Sequence, residues 1–113
     1  MLLSADIWVS ALLHRVAQAG SFAYIARRGE RSFGSVLVKV VNLRSREVYV
    51  LREAQNGEQT VWMRPVEARG EADLDAWIVR QTQYDADLWV VEIEDAEGRH
   101  FLTEPVEDAS AAG

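Results

Sequence analysis

Trp8, Leu12, Val16 and Ala19 recur at helical spacing, with Val9 and Leu13 beside them. The stripe predicts a helix near residues 5–19. Ser4 offers an oxygen to the first turn, Asp6 complements the positive end of the dipole, and Gly20 supplies a left-handed stop. A second, shorter stripe of Leu74, Trp77, Ile78 and Gln81 predicts a helix over 71–84, with Glu71, Asp73 and Asp75 at its positive end.

Between and after these helices the pattern turns to strands. Residues 21–28 alternate Phe22, Tyr24 and Ala26 with Ala23, Ile25 and Arg27. Residues 35–42 are β-branched and nearly continuous in apolar character, as in a central strand covered on both faces. Residues 47–53 return after a turn at Arg44-Ser45-Arg46. Asn56-Gly57 then marks a hairpin, because a type I′ turn needs positive φ at both central residues. With those two residues in the turn, Leu51 faces Trp62, Val50 faces Met63 and Tyr49 faces Arg64. Pro65 ends that strand or sits on an edge. Residues 88–95 and 99–103 form a last hairpin around Ala96-Glu97-Gly98.

The expected order is α-β-β-β-β-α-β-β. The expected fold is α+β, a mostly antiparallel sheet of about six strands with two helices. Two helices cover one face of such a sheet, so Tyr49, Leu51 and Trp62 would line the other as an aromatic–aliphatic strip. Of the four tryptophans, Trp8, Trp77 and Trp89 lie on apolar stripes and belong to the core, while Trp62 is the first candidate for exposure. The 113 residues fit one domain over 1–106, with a frayed tail of small and acidic residues over 107–113.

Composition narrows the function classes. There is no cysteine, which removes disulfides and thiolate metal sites. The start of the chain lacks the basic and apolar regions of a signal peptide, and no apolar run approaches a membrane span. The expected compartment is the cytoplasm, with no membrane partner. The net charge of −6 is split: residues 1–56 carry 8 basic and 4 acidic side chains, and residues 57–113 carry 4 basic and 14 acidic. Such asymmetry marks either a partner surface or ordinary solvation.

Three groups of residues carry candidate chemistry. In the register of the last hairpin, Glu92, Glu94 and His100 share a face opposite Trp89, Val91, Ile93 and Phe101. Two carboxylates and an imidazole there would bind a divalent metal or move protons; otherwise they form a solvated hairpin face. Arg27, Arg28 and Arg31 interleave with Phe22, Tyr24 and Phe33, the residue types that hold single-stranded nucleic acid. Net charge opposes that use, and solubilising arginines are the plainer reading. Gly29 and Gly34 give this loop freedom but make no phosphate loop, since Gly-Lys-Ser/Thr is missing. No Gly-x-Ser-x-Gly elbow occurs, and Ser10 with His14 is a commonplace helical spacing.

The stretches Trp8-Val-Ser-Ala-Leu-Leu-His-Arg15, Ala26-Arg-Arg-Gly29, Asp87-Leu-Trp-Val-Val-Glu-Ile-Glu-Asp95 and Gly98-Arg-His-Phe-Leu102 resemble a family of small alphaproteobacterial proteins, domain of unknown function 1491. The resemblance implies a short cytoplasmic single-domain protein. It carries no activity, so it transfers no functional residue. Two classes stay open. One is a non-catalytic interaction module that binds a protein partner or itself as a homodimer through Tyr49, Leu51 and Trp62, or through Arg27, Arg28 and Arg31. The other is a metal-binding protein or small enzyme using Glu92, Glu94 and His100. No cofactor is expected, and nucleic acid is the less expected partner.

Overall fold

The computed structural model describes residues 3–107. The chain runs α1 (Ala5–Gln18), β1 (Phe22–Arg27), β2 (Val36–Asn42), β3 (Val48–Asn56), β4 (Gln59–Met63), α2 (Glu71–Tyr84), β5 (Trp89–Asp95) and β6 (Val106–Glu107). This is the expected order of elements. Residues 108–113 of the predicted tail lie outside the described residues, and Glu107 sits in β6 beside Met63.

The six strands form one sheet in the order β1-β5-β2-β3-β4-β6. Strands β1/β5, β2/β3 and β3/β4 pair antiparallel, whereas β2/β5 and β4/β6 pair parallel. The sheet is therefore mixed rather than mostly antiparallel. The expectation assumed that successive strands pair as hairpins. Instead α2 carries the chain across the sheet and returns it between β1 and β2, and a helical crossover is what permits parallel pairing.

The predicted hairpin of residues 88–95 with 99–103 does not form. β5 has both neighbours already, and all its residues except Glu94 are buried. Beyond it the chain turns at Gly98 (φ 72°) and at Phe101, whose φ of 60° breaks extended geometry. It then reaches β4 from the far side, where the Trp62 amide donates to the Pro105 carbonyl at 2.8 Å.

The helices lie on opposite faces. Against α1 pack Val36, Val38 and Val40 of β2, Leu51 of β3, Trp62 of β4, and Trp89, Val91 and Ile93 of β5. On the other face Leu74 and Ile78 of α2 meet Leu37, Val50, Leu88 and Val90. This two-sided coverage explains the nearly continuous apolar run of β2, interrupted at Lys39, since a strand buried on both faces cannot alternate. Trp77 is only half-buried at the margin of the α2 layer.

The β3–β4 hairpin turns one position later than expected, which shifts the pairing register by two. Asn56 pairs with Gln59 and Glu53 stands opposite Trp62, so Gly57 (φ 66°) and Glu58 occupy the turn. A shift of two preserves the faces. Tyr49, Leu51 and Trp62 remain on one side, and Arg64 still reaches the Tyr49 ring at 4.3 Å.

Candidate interaction surface

That shared side is the α1 side, which overturns Tyr49, Leu51 and Trp62 as a partner-binding strip. Leu51 is buried and Trp62 is 0% exposed. The Trp62 indole stacks on Trp8 and donates to Glu104 Oε1 at 3.1 Å. Tyr49 donates its hydroxyl to the Gly98 carbonyl at 2.6 Å, and burial pushes its pKa up to about 12. The assumption that both helices share one face is what failed: α1 alone roofs these residues.

Glu92 and Glu94 point to the α2 face, as alternation requires. There Glu92 pairs with Lys39 at 3.2 Å. The Lys39 ammonium also meets Glu71 and Asp75 of α2, each at 2.7 Å. Glu71 and Asp75 are four residues apart, so one turn of α2 straddles the lysine. Burial works against the lysine charge, and the carboxylates of Asp75, Glu71 and Glu92 overcome it, holding its pKa well above the usual range. The three carboxylates thus favour the charged form of Lys39. The Glu94 carboxyl is pushed up by burial and by Glu92 beside it. Tyr24, opposite Glu92 on β1, has its pKa raised by burial and by its hydrogen bond to Glu92.

His100 does not join these carboxylates. Its Nδ1 accepts the Leu102 amide at 2.9 Å, and burial lowers its pKa. Its neighbours Phe101 and Leu102 pack into the core under α1, whereas Glu92 and Glu94 face α2. The metal-or-proton constellation needed the 95–99 hairpin register, and β1 and β2 hold those positions instead. Among the described residues no group of three His, Asp or Glu side chains is placed to hold a metal ion.

The three arginines do separate work. Arg27 donates to the Leu88 and Ala86 carbonyls, Arg28 lies over the Trp89 ring at 5.2 Å, and Arg31 pairs with Asp6 at 3.1 Å. The loop they flank is tied down. Gly29 and Gly34 stand where a Cβ would overlap the Asp87 carbonyl oxygen, so they permit close approach rather than freedom. The Trp89 indole donates to the Glu30 carbonyl at 2.7 Å, and the Glu30 carboxylate accepts the Ser32 and Phe33 amides. The first amides of α1 donate to the Arg31 and Ser32 carbonyls. Ser4 meanwhile bonds Asp6 rather than capping the helix.

Besides Tyr84 at the end of α2, two exposed aromatic features remain. Phe22, 58% exposed, and Tyr24 lie on the open strand β1 with ring centroids 5.8 Å apart. Phe33, at the tip of the tied loop, is 91% exposed. The sequence contained both but gave no reason to rank them above Trp62. A recess of about 630 Å³ lies between the start of α1, the β3–β4 turn and Glu104, with Trp8 and Glu104 in its wall. No helix among the described residues is long and apolar enough to cross a membrane.

The model of the family "Protein of unknown function (DUF1491)" matches residues 3–103. A crystal structure of a DUF1491 family protein from Caulobacter crescentus CB15 is similar at 51% identity and a TM-score of 0.91, covering 94% of this chain and 100% of that one. An NMR structure of a DUF1491 family protein from the same organism gives 52% identity and a TM-score of 0.87, covering 95% and 98%. The solution structure of protein Atu0922 from A. tumefaciens gives 28% identity and 0.78, again covering 95% and 98%. No curated protein matches the chain. With the family model spanning nearly all of the described residues, the chain belongs to the DUF1491 family.

Proposed function

We propose that this protein is a non-catalytic interaction module that pairs with a second copy of itself through the outer edge of β1. The observation that carries the reading is the character of that edge. Residues 21–26 hold no charge and no proline, and no other strand flanks β1 on its outer side among the described residues. Sheet edges left in water are normally blunted by charges, proline or extreme shortness. The opposite edge follows that rule, because β6 has only two residues. The register irregularity between Ile25 and Arg27 leaves Phe22 to Ile25 regular and able to pair.

An antiparallel pairing about a two-fold axis near Ala23 would join two sheets into one and set Phe22 of one copy beside Tyr24 of the other. Residues in hydrogen-bonded register then face the same side, and the exposed rings gain a neighbour. Sedimentation equilibrium tests this directly. The expected result is a dimer mass that falls to a monomer mass in Phe22→Glu/Tyr24→Lys, with unchanged far-UV circular dichroism. A monomer mass for the unsubstituted protein at concentrations of about 1 mM rejects a pairing even as weak as about −4 kcal/mol.

A further inference from the structure

α2 covers only part of its face of the sheet. Leu74 and Ile78 seat on Leu37, Val50, Leu88 and Val90, none of them from β1. Phe22 and Tyr24 share that face, because the alternate residues Ala23 and Ile25 turn to α1. Both rings are exposed and are tilted by 37° to one another. On β5 the residue opposite Phe22 is Glu94, and the residue opposite Tyr24 is Glu92. An aromatic pair and a carboxylate pair thus lie side by side where no helix covers the rings.

The charge beside the rings is one-sided. Lys39 is committed to Glu71, Asp75 and Glu92. Among the described residues no ammonium or guanidinium forms an ion pair with Glu94. One positive charge, Lys39, therefore answers four negative ones, Glu71, Asp75, Glu92 and Glu94, a local balance of −3. Burial raises the pKa of the Glu94 carboxyl, and the neighbouring Glu92 and Glu71 raise it further, against the opposing pull of Lys39. A carboxylate crowded by its own sign and flanked by aromatic rings is complementary to a flat, delocalised cation. The arginine guanidinium is that group: it stacks on rings and pairs with carboxylates in a fork.

We infer that the face formed by Phe22, Tyr24 and Glu94 docks an arginine-bearing, positively charged segment of a partner protein, with a guanidinium laid over the rings and paired to Glu94. The same carboxylates repel the phosphates of nucleic acid and of anionic lipid. Pairing along the outer side of β1 uses backbone amides and carbonyls and leaves this face open, so the inference does not rest on it.

The test titrates the intact, ¹⁵N-labelled chain with a blocked peptide of three alternating glycine–arginine pairs, at about physiological salt. Peptides with lysine or with neutral citrulline in place of arginine serve as comparisons. The expected result is saturable amide shifts centred on residues 22–24 and 92–94, with a dissociation constant below about 1 mM. The lysine peptide should bind more weakly and the citrulline peptide not at all. Glu94→Gln and Phe22→Ala should each weaken binding by about threefold or more. Glu94→Gln should keep the melting temperature and the sedimentation mass of the unsubstituted protein. The inference is overturned if the shifts do not saturate, if they spread evenly over the acidic surface, if lysine serves as well as arginine, or if either variant binds as tightly as the unsubstituted chain. A dimer mass without peptide binding rejects this inference alone; a monomer mass with the peptide bound rejects the β1 pairing alone.

Discussion

Trp8 of α1 stacks on Trp62 of β4 with ring centroids 5.2 Å apart and planes inclined by 20°. Both indoles donate to the one carboxylate of Glu104, at 3.4 and 3.1 Å. The pair thus joins a helix, a strand and the segment leading to β6. Trp62→Ala should cost about 3–5 kcal/mol in denaturant melts, the usual cost of deleting a buried aromatic. Trp62→Glu should unfold the protein rather than split a dimer. A loss below about 1 kcal/mol for Trp62→Ala would show that α1 is not seated on β4.

Lys39 is the only ammonium on the α2 face of β2, and its side chain is 5% exposed. Lys39→Met leaves Glu92 buried without its cation. The expected loss is about 3–5 kcal/mol, the range for breaking a buried ion pair from one side. Adding Glu92→Leu should recover most of it, because removing both charges together is often nearly neutral. Urea melts of the single and double variants measure both. A Lys39→Met protein as stable as the unsubstituted one would show that the cluster contributes nothing to holding α2.

Asp95 sets the acid sensitivity. Its carboxylate accepts from the Arg99 guanidinium and amide, the Glu97 amide and the Ser21 hydroxyl. These bonds, led by Arg99, hold its pKa far below the ordinary carboxylate value of 3.8. The unfolded chain binds the proton first, so this stability is present above about pH 4 and drains away as pH falls below it. Asp95→Asn should lower stability at pH 7 by about 1.5–3 kcal/mol, the range for hydrogen bonds to a charged group. Thermal melts should show that gap closing as pH drops toward 3; a gap that stays constant would mean the carboxylate charge is irrelevant.

Gly34→Ala should cost about 1–3 kcal/mol by overpacking, since the new methyl group would overlap the Asp87 carbonyl. Gly57→Ala faces open space but requires a left-handed residue, so its cost is confined to backbone strain of about 1 kcal/mol. A comparison of the two in urea separates steric from conformational demand. Equal losses would contradict the tight contact between the loop and the entry to β5.

The helices were legible because Trp8, Leu12 and Val16, and again Leu74 and Ile78, repeat at the helical period regardless of what they pack against. The central place of β2 was legible for a similar reason, since residues 36–41 leave no polar face. The site was not. Where β5 pairs depends on where α2 delivers the chain, and no local pattern encodes that. Once β5 falls between β1 and β2, Glu92 faces Lys39, 53 positions earlier in the sequence, rather than His100 nearby. Trp62 was misplaced for the same reason: its face was read correctly, but the helix covering that face is the first element of the chain.

The parallel seam between β2 and β5 has a consequence for how the chain comes off the ribosome. β1 and β2 are made early, yet no ladder joins them directly; the strand that fits between them ends at Asp95. Until that strand emerges, β1 has no partner and β2 has one bare edge. The early two-thirds of the polypeptide must therefore wait, with β1 unpaired and the valine-rich β2 open along one edge, for the last one to close the gap. Folding is tied to the emergence of β5, and pairings so distant in sequence close slowly. Nascent chains stalled before Trp89 should be substrates for chaperones rather than half-built versions of the native sheet.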